Sequence, residues 1–235
     1  MEPGRGYRGW HTIWSVEYPG GTLTQITTHT SSDAFHQFPE WSPDGSKIAI
    51  STGYIDIFNL STNTMVNTGI VGDFPRWSPD GKWIIMKHEK TNLYDVEGDY
   101  LVLFSNKSYE SCWSPDGQYL ALYEKLAYPE VSNKLEIMDF GSRSIIKEFT
   151  VSDIGFKIDW SPDGKWIMLG FEPDNHLIIL NYETGKIYTG ILDGLDSKWY
   201  PTWSSDQTLI AFEAKLVSSD RKNEIWAVTA PEFMR

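Results

Sequence analysis

W-S-P-D-G at residues 41–45 returns letter for letter at residues 77–81, 113–117 and 160–164, and once more, altered to W-S-S-D-Q, at residues 203–207. In each full copy serine suits the first position of a type I turn, proline presets φ for the second, and aspartate and glycine follow. Gly45, Gly81, Gly117 and Gly164 can take the positive φ that hairpin loops with a bulge require. Seven residues beyond each tryptophan stands an apolar side chain: Ile48, Ile84, Leu120, Ile167 and Ile210. Two residues further come Ile50, Met86, Leu122, Leu169 and Phe212, and the positions between, Ala49, Ile85, Ala121, Met168 and Ala211, are apolar too. A strand apolar on both faces is covered on both faces. Each copy therefore reads as strand, tight turn, buried strand.

The copies begin 36, 36, 47 and 43 residues apart, which places loops of variable length on a fixed frame. Such a period is the signature of a repeat array. Each interval has room for two more strands, such as residues 54–60 and 64–70 in the first, and four strands per repeat make a propeller blade. The pattern, with lysine following at Lys82 and Lys165, resembles the TolB-type, WD-repeat-like propeller repeat over nearly the whole chain. That repeat is shared by Tol-system periplasmic proteins, tricorn-type proteases and the propeller domains of prolyl oligopeptidase relatives. The resemblance thus implies an all-β fold without fixing an activity. It also implies a periplasmic or extracellular setting, although residues 1–10 do not read as a signal peptide. The fifth copy, with Ser205 for proline and Gln207 for glycine, is expected to turn less rigidly.

Residues 1–10 read as a tail and residues 11–235 as one β-propeller domain. Its blades fall at about 36–70, 72–105, 108–151, 155–192 and 198–229, preceded by strands at 12–18 and 22–28. The last blade lacks a fourth strand, so five blades are expected, with residues 22–28 closing the ring as the missing outer strand. Closure would hide strand edges that otherwise invite association. Residues 12–18 are then surplus, and Ile13-Trp14-Ser15-Val16 resembles Ile225-Trp226-Ala227-Val228 of the last blade. The alternative is an incomplete six-bladed propeller. A monomer is expected unless a blade is incomplete.

With 235 residues and 11 Trp, 12 Tyr and 11 Phe, the chain has the large side chains needed to pack sheets face to face. A net charge of −12 argues against nucleic acid, whose phosphates need a concentrated basic face. No apolar run approaches the roughly 20 residues that span a bilayer as a helix. Cys112, the single cysteine, lies beside Trp113 in an inner strand and reads as a small core residue.

Function is sought on the face where the variable loops emerge. The longest are residues 123–134 and 213–223. Charged and aromatic residues recur where each inner strand begins: His36 and Phe38, Asp73 and Phe74, Tyr109 and Glu110, Asp153 and Phe156, Asp196 with Trp199 and Tyr200. Of these, Asp73, Phe74, Tyr109, Glu110, Phe156, Trp199 and Tyr200 are the candidate binding residues, aromatic anchors with acidic groups for a basic protein or peptide partner. Asp44, Asp80, Asp116, Asp163 and Asp206 are read as acceptors for amides of their own turns, not as a ring of metal ligands.

Catalytic patterns fail. G-x-S-x-G and H-E-x-x-H are absent, the five histidines show no ligand spacing, and the S-x-x-K at Ser219 and Lys222 is a chance match in a polar loop. No cofactor is expected. The reading is a non-catalytic protein- or peptide-binding scaffold that works through its loop face and central opening. One alternative is the gating or docking portion of a peptidase or hydrolase whose catalytic domain lies elsewhere. Another is a propeller enzyme whose channel metal takes one ligand per blade and so leaves no local motif.

Overall fold

The computed structural model describes residues 12–17, 20–28, 36–124, 134–151, 157–170, 177–191, 195–216 and 224–234. Strands β1 (Trp14–Val16) and β2 (Leu23–Gln25) form a hairpin. Blade one is β3 (Gln37–Trp41), β4 (Lys47–Ser51), β5 (Tyr54–Asn59) and β6 (Thr64–Val71). Blade two is β7 (Asp73–Trp77), β8 (Trp83–Lys87), β9 (Thr91–Asp95) and β10 (Tyr100–Ser105). Blade three is β11 (Tyr109–Trp113), β12 (Tyr119–Glu124), β13 (Lys134–Asp139) and β14 (Ser144–Thr150). Blade four is β15 (Ile158–Trp160), β16 (Trp166–Gly170), β17 (Leu177–Asn181) and β18 (Ile187–Ile191). Blade five is β19 (Leu195–Trp203), β20 (Leu209–Leu216) and β21 (Glu224–Thr229). Every pairing is antiparallel between neighbours in sequence, so the fold is an all-β propeller of five blades.

The double-faced apolar pattern does what its periodicity requires. Ile84 and Met86 of blade two pack on Ala49, Ile55 and Ile57 of blade one, while Ile85, one residue between them, packs on Trp113, Leu120 and Leu122 of blade three. The same alternation joins blade three to four through Ala121 and Ile167, and blade four to five through Met168 and Ile210. The side chains that meet between blades are almost fully withdrawn from water, which supplies most of the favourable free energy of such a stack.

Each turn is held by the same small network. Ser42 Oγ donates to Asp44 Oδ1 at 2.6 Å, Ser46 N donates to the same oxygen at 3.0 Å, and Lys47 N donates back to Ser42 Oγ at 2.9 Å. These hydrogen bonds, that from Ser42 foremost, hold the Asp44 carboxyl down at about 2, and Ser204 does the same for Asp206. Burial pushes Asp80 and Asp163 up, but bonds from Ser78 and Ser161 leave both below the usual carboxylate range. A carboxyl depressed in the folded state contributes stability that is complete above its unfolded value near 4 and disappears as pH falls through the folded value. The thermal midpoint is therefore expected to fall as pH is lowered from about 4 to about 2, a fall that Asp44→Asn with Asp206→Asn makes shallower. Equal slopes for the two proteins would contradict this role.

Two expectations are corrected. The fifth turn keeps the shape and register of the other four: Trp203 pairs with Ile210 as Trp41 does with Ile48, and Gln207 N donates to the Ser204 carbonyl at 2.9 Å as Gly45 N does to Ser42. Gln207 takes φ 60° at the glycine position, its Oε1 accepts from Asp163 N of the neighbouring turn at 3.0 Å, and its Nε2 donates to the Met234 carbonyl. A side chain bridging two turns replaces the freedom that glycine would have given. Nor does β2 close the last blade, since its described partner is β1. The hairpin instead lays Ile13 and Ile26 on Ile48, Ile50 and Phe58, the face of blade one turned away from blade two. There Ile13 is buried, so the hairpin gains apolar burial on blade one in addition to its own three-pair ladder. Trp41 is consequently 48% exposed, whereas its four counterparts are 6–8% exposed.

Candidate functional site

Three inner strands begin with the same irregularity, which can be read back to Q-F-P-E-W, D-F-P-R-W and W-Y-P-T-W. Phe38, Phe74 and Tyr200 stand three residues before their tryptophans, each followed by proline, with φ of 50°, 54° and 53°. The register shifts at each: between Gln37 and Glu40, between Asp73 and Arg76, and between Trp199 and Thr202. An extra residue in one strand of a pair bulges, and a bulky side chain at positive φ is strained, so these positions are held by what surrounds them. The bulge turns the three aromatic rings toward one another. Phe38 stacks on Phe74 with centroids 3.8 Å apart, and Tyr200 lies 5.9 Å from Phe38, which brings blades five, one and two together at one end of the inner strands.

Beside this cluster Lys87 extends its ammonium over the Phe74 ring, 4.2 Å from the centroid, and bonds to Glu110 Oε1. Deeper in, a second layer is charged. Arg76 Nη1 donates to Glu40 Oε2 at 3.0 Å, and Nη2 donates to the Ile158 carbonyl at 3.1 Å, a bond that runs from blade two to blade four. Asp159 Oδ2 accepts from Thr202 Oγ1 at 3.0 Å and from Trp203 N at 2.9 Å. Burial works against the Arg76 charge, but Glu40 and Asp159 more than restore it. Burial also pushes the Asp159 carboxyl up and the Lys157 amine down, to about 8. The Cys112 thiol is pushed up by burial, so it stays protonated and unreactive as a nucleophile. Among the described residues no three His, Cys, Asp or Glu side chains stand together to hold a metal.

The candidate residues divide on this geometry. Phe74 and Tyr200 are in the aromatic cluster, and Asp73, half-buried, flanks it. Tyr109 and Glu110 are 6% and 5% exposed, with the Tyr109 hydroxyl on Glu136 and the Glu110 carboxylate on Lys87, so both are wall residues and not a free rim. The Trp199 backbone pairs with Glu213 in β19, but its side chain, like all of Phe156 and Asp153, lies outside the described residues. His36 is buried with Nδ1 2.8 Å from Thr27 Oγ1, which anchors the segment leading out of the hairpin. Phe38, named among the strand-start residues but not among the candidates, and Arg76 are the additions. The aromatic-proline-x-tryptophan repeat sets Phe38 beside Phe74 and Tyr200, whereas no local signal marks Arg76, whose partners are 36 and 82 residues away.

The family described as eukaryotic translation initiation factor eIF2A matches residues 58–172, a little under half of the chain. No curated protein matches it in sequence. Of the solved structures, TolB from Acinetobacter baumannii is 21% identical with a TM-score of 0.76, over 93% of this chain and 57% of that one. A TolB-type protein from Agrobacterium tumefaciens is 18% identical with a TM-score of 0.73, over 88% and 80%. Hydrazine synthase from Kuenenia stuttgartiensis is 16% identical with a TM-score of 0.64, over 87% and 66%. The chain thus spans about two thirds of that synthase chain and 57% of the Acinetobacter one. These likenesses establish a TolB-like β-propeller fold. Since 1030 chains of solved structures match, the fold by itself selects no function.

Proposed function

We propose that this TolB-like propeller is a non-catalytic module that receives a protein or peptide at the mouth of its central channel, on the rings of Phe38, Phe74 and Tyr200. The observation that carries the reading is the shared left-handed bulge. Three strained aromatic residues on three different blades, turned to one place, cost stability that a purely structural strand would avoid. Clustered aromatic rings contribute contact area at low entropic cost, the usual composition of a binding hot spot. Asp73 beside the rings favours a basic group on the partner, and the chain's net charge of −12 steers such a partner inward. The Lys87 and Glu110 pair and the Arg76 layer form the rigid floor beneath.

Glycine tests the proposal without threatening the fold, because it adopts positive φ without strain. The double variant Phe38→Gly, Tyr200→Gly is expected to keep its circular dichroism and fall at least about tenfold in affinity for a partner isolated with the wild-type protein, which corresponds to about 1.4 kcal/mol. Unchanged affinity would remove the rings from the binding surface.

A further inference from the structure

We propose that the outer edge of blade five is an interface between copies of this chain, in which β21 pairs antiparallel with β21 of a second copy about a two-fold axis at Ala227. The edge lies on the rim, two strands out from β19, which carries Tyr200, and does not depend on the function proposed for the channel mouth.

In this propeller, place in the blade decides how a strand is built. The third strands β5, β9, β13 and β17 pair with their second strands in unbroken register, and each bonds a fourth strand on its other side. The fourth strands β6, β10, β14 and β18, which end their sheets, are all joined through a register shift. A bulge at a sheet edge interrupts the row of unpaired groups that another chain could pair with. Strand β21 combines the two places. It pairs with β20 in unbroken register over its 6 residues, as a third strand does, yet no described strand lies beyond it. From Ile225 to Thr229 it carries no proline, glycine or charge that would guard the edge. The chain's own hairpin is committed elsewhere, since β2 pairs with β1 while Ile13 and Ile26 pack on blade one.

The backbone phase fixes which groups are left over and what they match. Ala230 N donates to the Thr208 carbonyl at 2.8 Å, and in an antiparallel ladder every second pair exchanges such bonds. Val228 and Trp226 therefore bond to Ile210 and Phe212, whereas the N–H and C=O groups of Ile225, Ala227 and Thr229 point away from β20. A two-fold axis normal to the sheet keeps like faces together, so it matches residues an even number apart: Ile225 with Thr229, Trp226 with Val228, and Ala227 with its own copy. The outward-bonding residues thus meet one another, donor to acceptor, along the whole ladder. The side chains suit the same register. Exposed Ala227 puts a methyl group at the axis, Ile225, 79% exposed, gains the β-branched Thr229, and half-buried Trp226 gains Val228 in a non-hydrogen-bonded pair, where side chains come closest. No charged residue falls within the ladder, so no carboxylate opposes its own copy.

Sedimentation velocity of the full chain over a range of concentrations tests the interface. A reversible dimer is expected, tightened by added salt because each copy carries a net charge of −12. Ala227→Lys and Ala227→Glu, both at an exposed position, each set like charges opposite one another and should weaken dimerisation at least about tenfold, while an equal mixture of the two proteins should regain it. Amide exchange at Ile225, Ala227 and Thr229 should slow as the wild-type concentration rises, and should not do so in the Ala227→Lys protein. A monomer at every concentration would overturn the assignment, as would a dimer indifferent to both substitutions. Protection of the three amides that is independent of concentration would overturn it too, because a segment of the same chain would then cover the edge.

Discussion

Arg76→Ala is expected to destabilise the propeller by about 3 kcal/mol, the cost of removing a buried guanidinium and leaving two half-buried carboxylates with, among the described residues, only Lys157 beside them. Arg76 is 8% exposed and joins three blades: its own, blade one through Glu40, and blade four through the Ile158 carbonyl. Without it, Glu40 and Asp159 face each other in the channel wall, and burial already pushes Asp159 up with the guanidinium in place. The pH dependence has a definite sign. A carboxyl whose folded value lies above its unfolded one costs stability once pH exceeds the unfolded value, and that cost is relieved on protonation. The gap between variant and wild type should therefore narrow as pH falls toward about 4. Denaturant titrations at pH 7 and pH 4.5 would measure it, and a gap that is small or independent of pH would mean that Arg76 is not the keystone of the charged layer.

The second large effect is a contrast between two copies of one motif. Trp113→Ala removes a ring 7% exposed, packed on Phe140 and donating to the Arg76 carbonyl, and should cost about 3–5 kcal/mol. Trp41→Ala removes the same residue at the same motif position, where 48% of it is exposed because the hairpin covers only the outer part of that face, and should cost no more than about 1 kcal/mol. Urea melts of both variants would settle the comparison. Similar costs would mean that blade one is covered in solution by something that the placement of the hairpin leaves out.

That contrast also marks where sequence reading stops. The turns were legible because their causes are local: Ser42, Asp44 and Lys47 bond to one another within six residues, and apolar residues at alternate faces require a neighbour on each side. Strand pairing within blades followed from the same turns. The pairing of β2 was not legible, because hairpin and blade closure offer comparable ladders and only the burial of Ile13 and Ile26 on blade one decides between them. Gln207 shows the opposite error, a motif departure that reads as weakness until its side chain is seen bridging Asp163 and Met234. At the candidate site Phe74 and Tyr200 could be singled out as aromatic residues at strand starts. Their convergence with Phe38 depends on φ signs that only the recurring proline betrays, and the burial of Tyr109 and Glu110 depends on Lys87 and Glu136, which belong to other strands.

The most direct test of the account is photo-crosslinking with p-benzoylphenylalanine placed at Tyr200 and, as a control on an outer surface, at Tyr54, which is 46% exposed. The expected result is a discrete adduct from Tyr200 alone, suppressed by an excess of the Tyr200→Gly, Phe38→Gly protein far less than by an excess of wild type. Adducts of equal yield from both positions, or none from Tyr200 under conditions where the partner is captured elsewhere on the propeller, would contradict binding at the channel mouth.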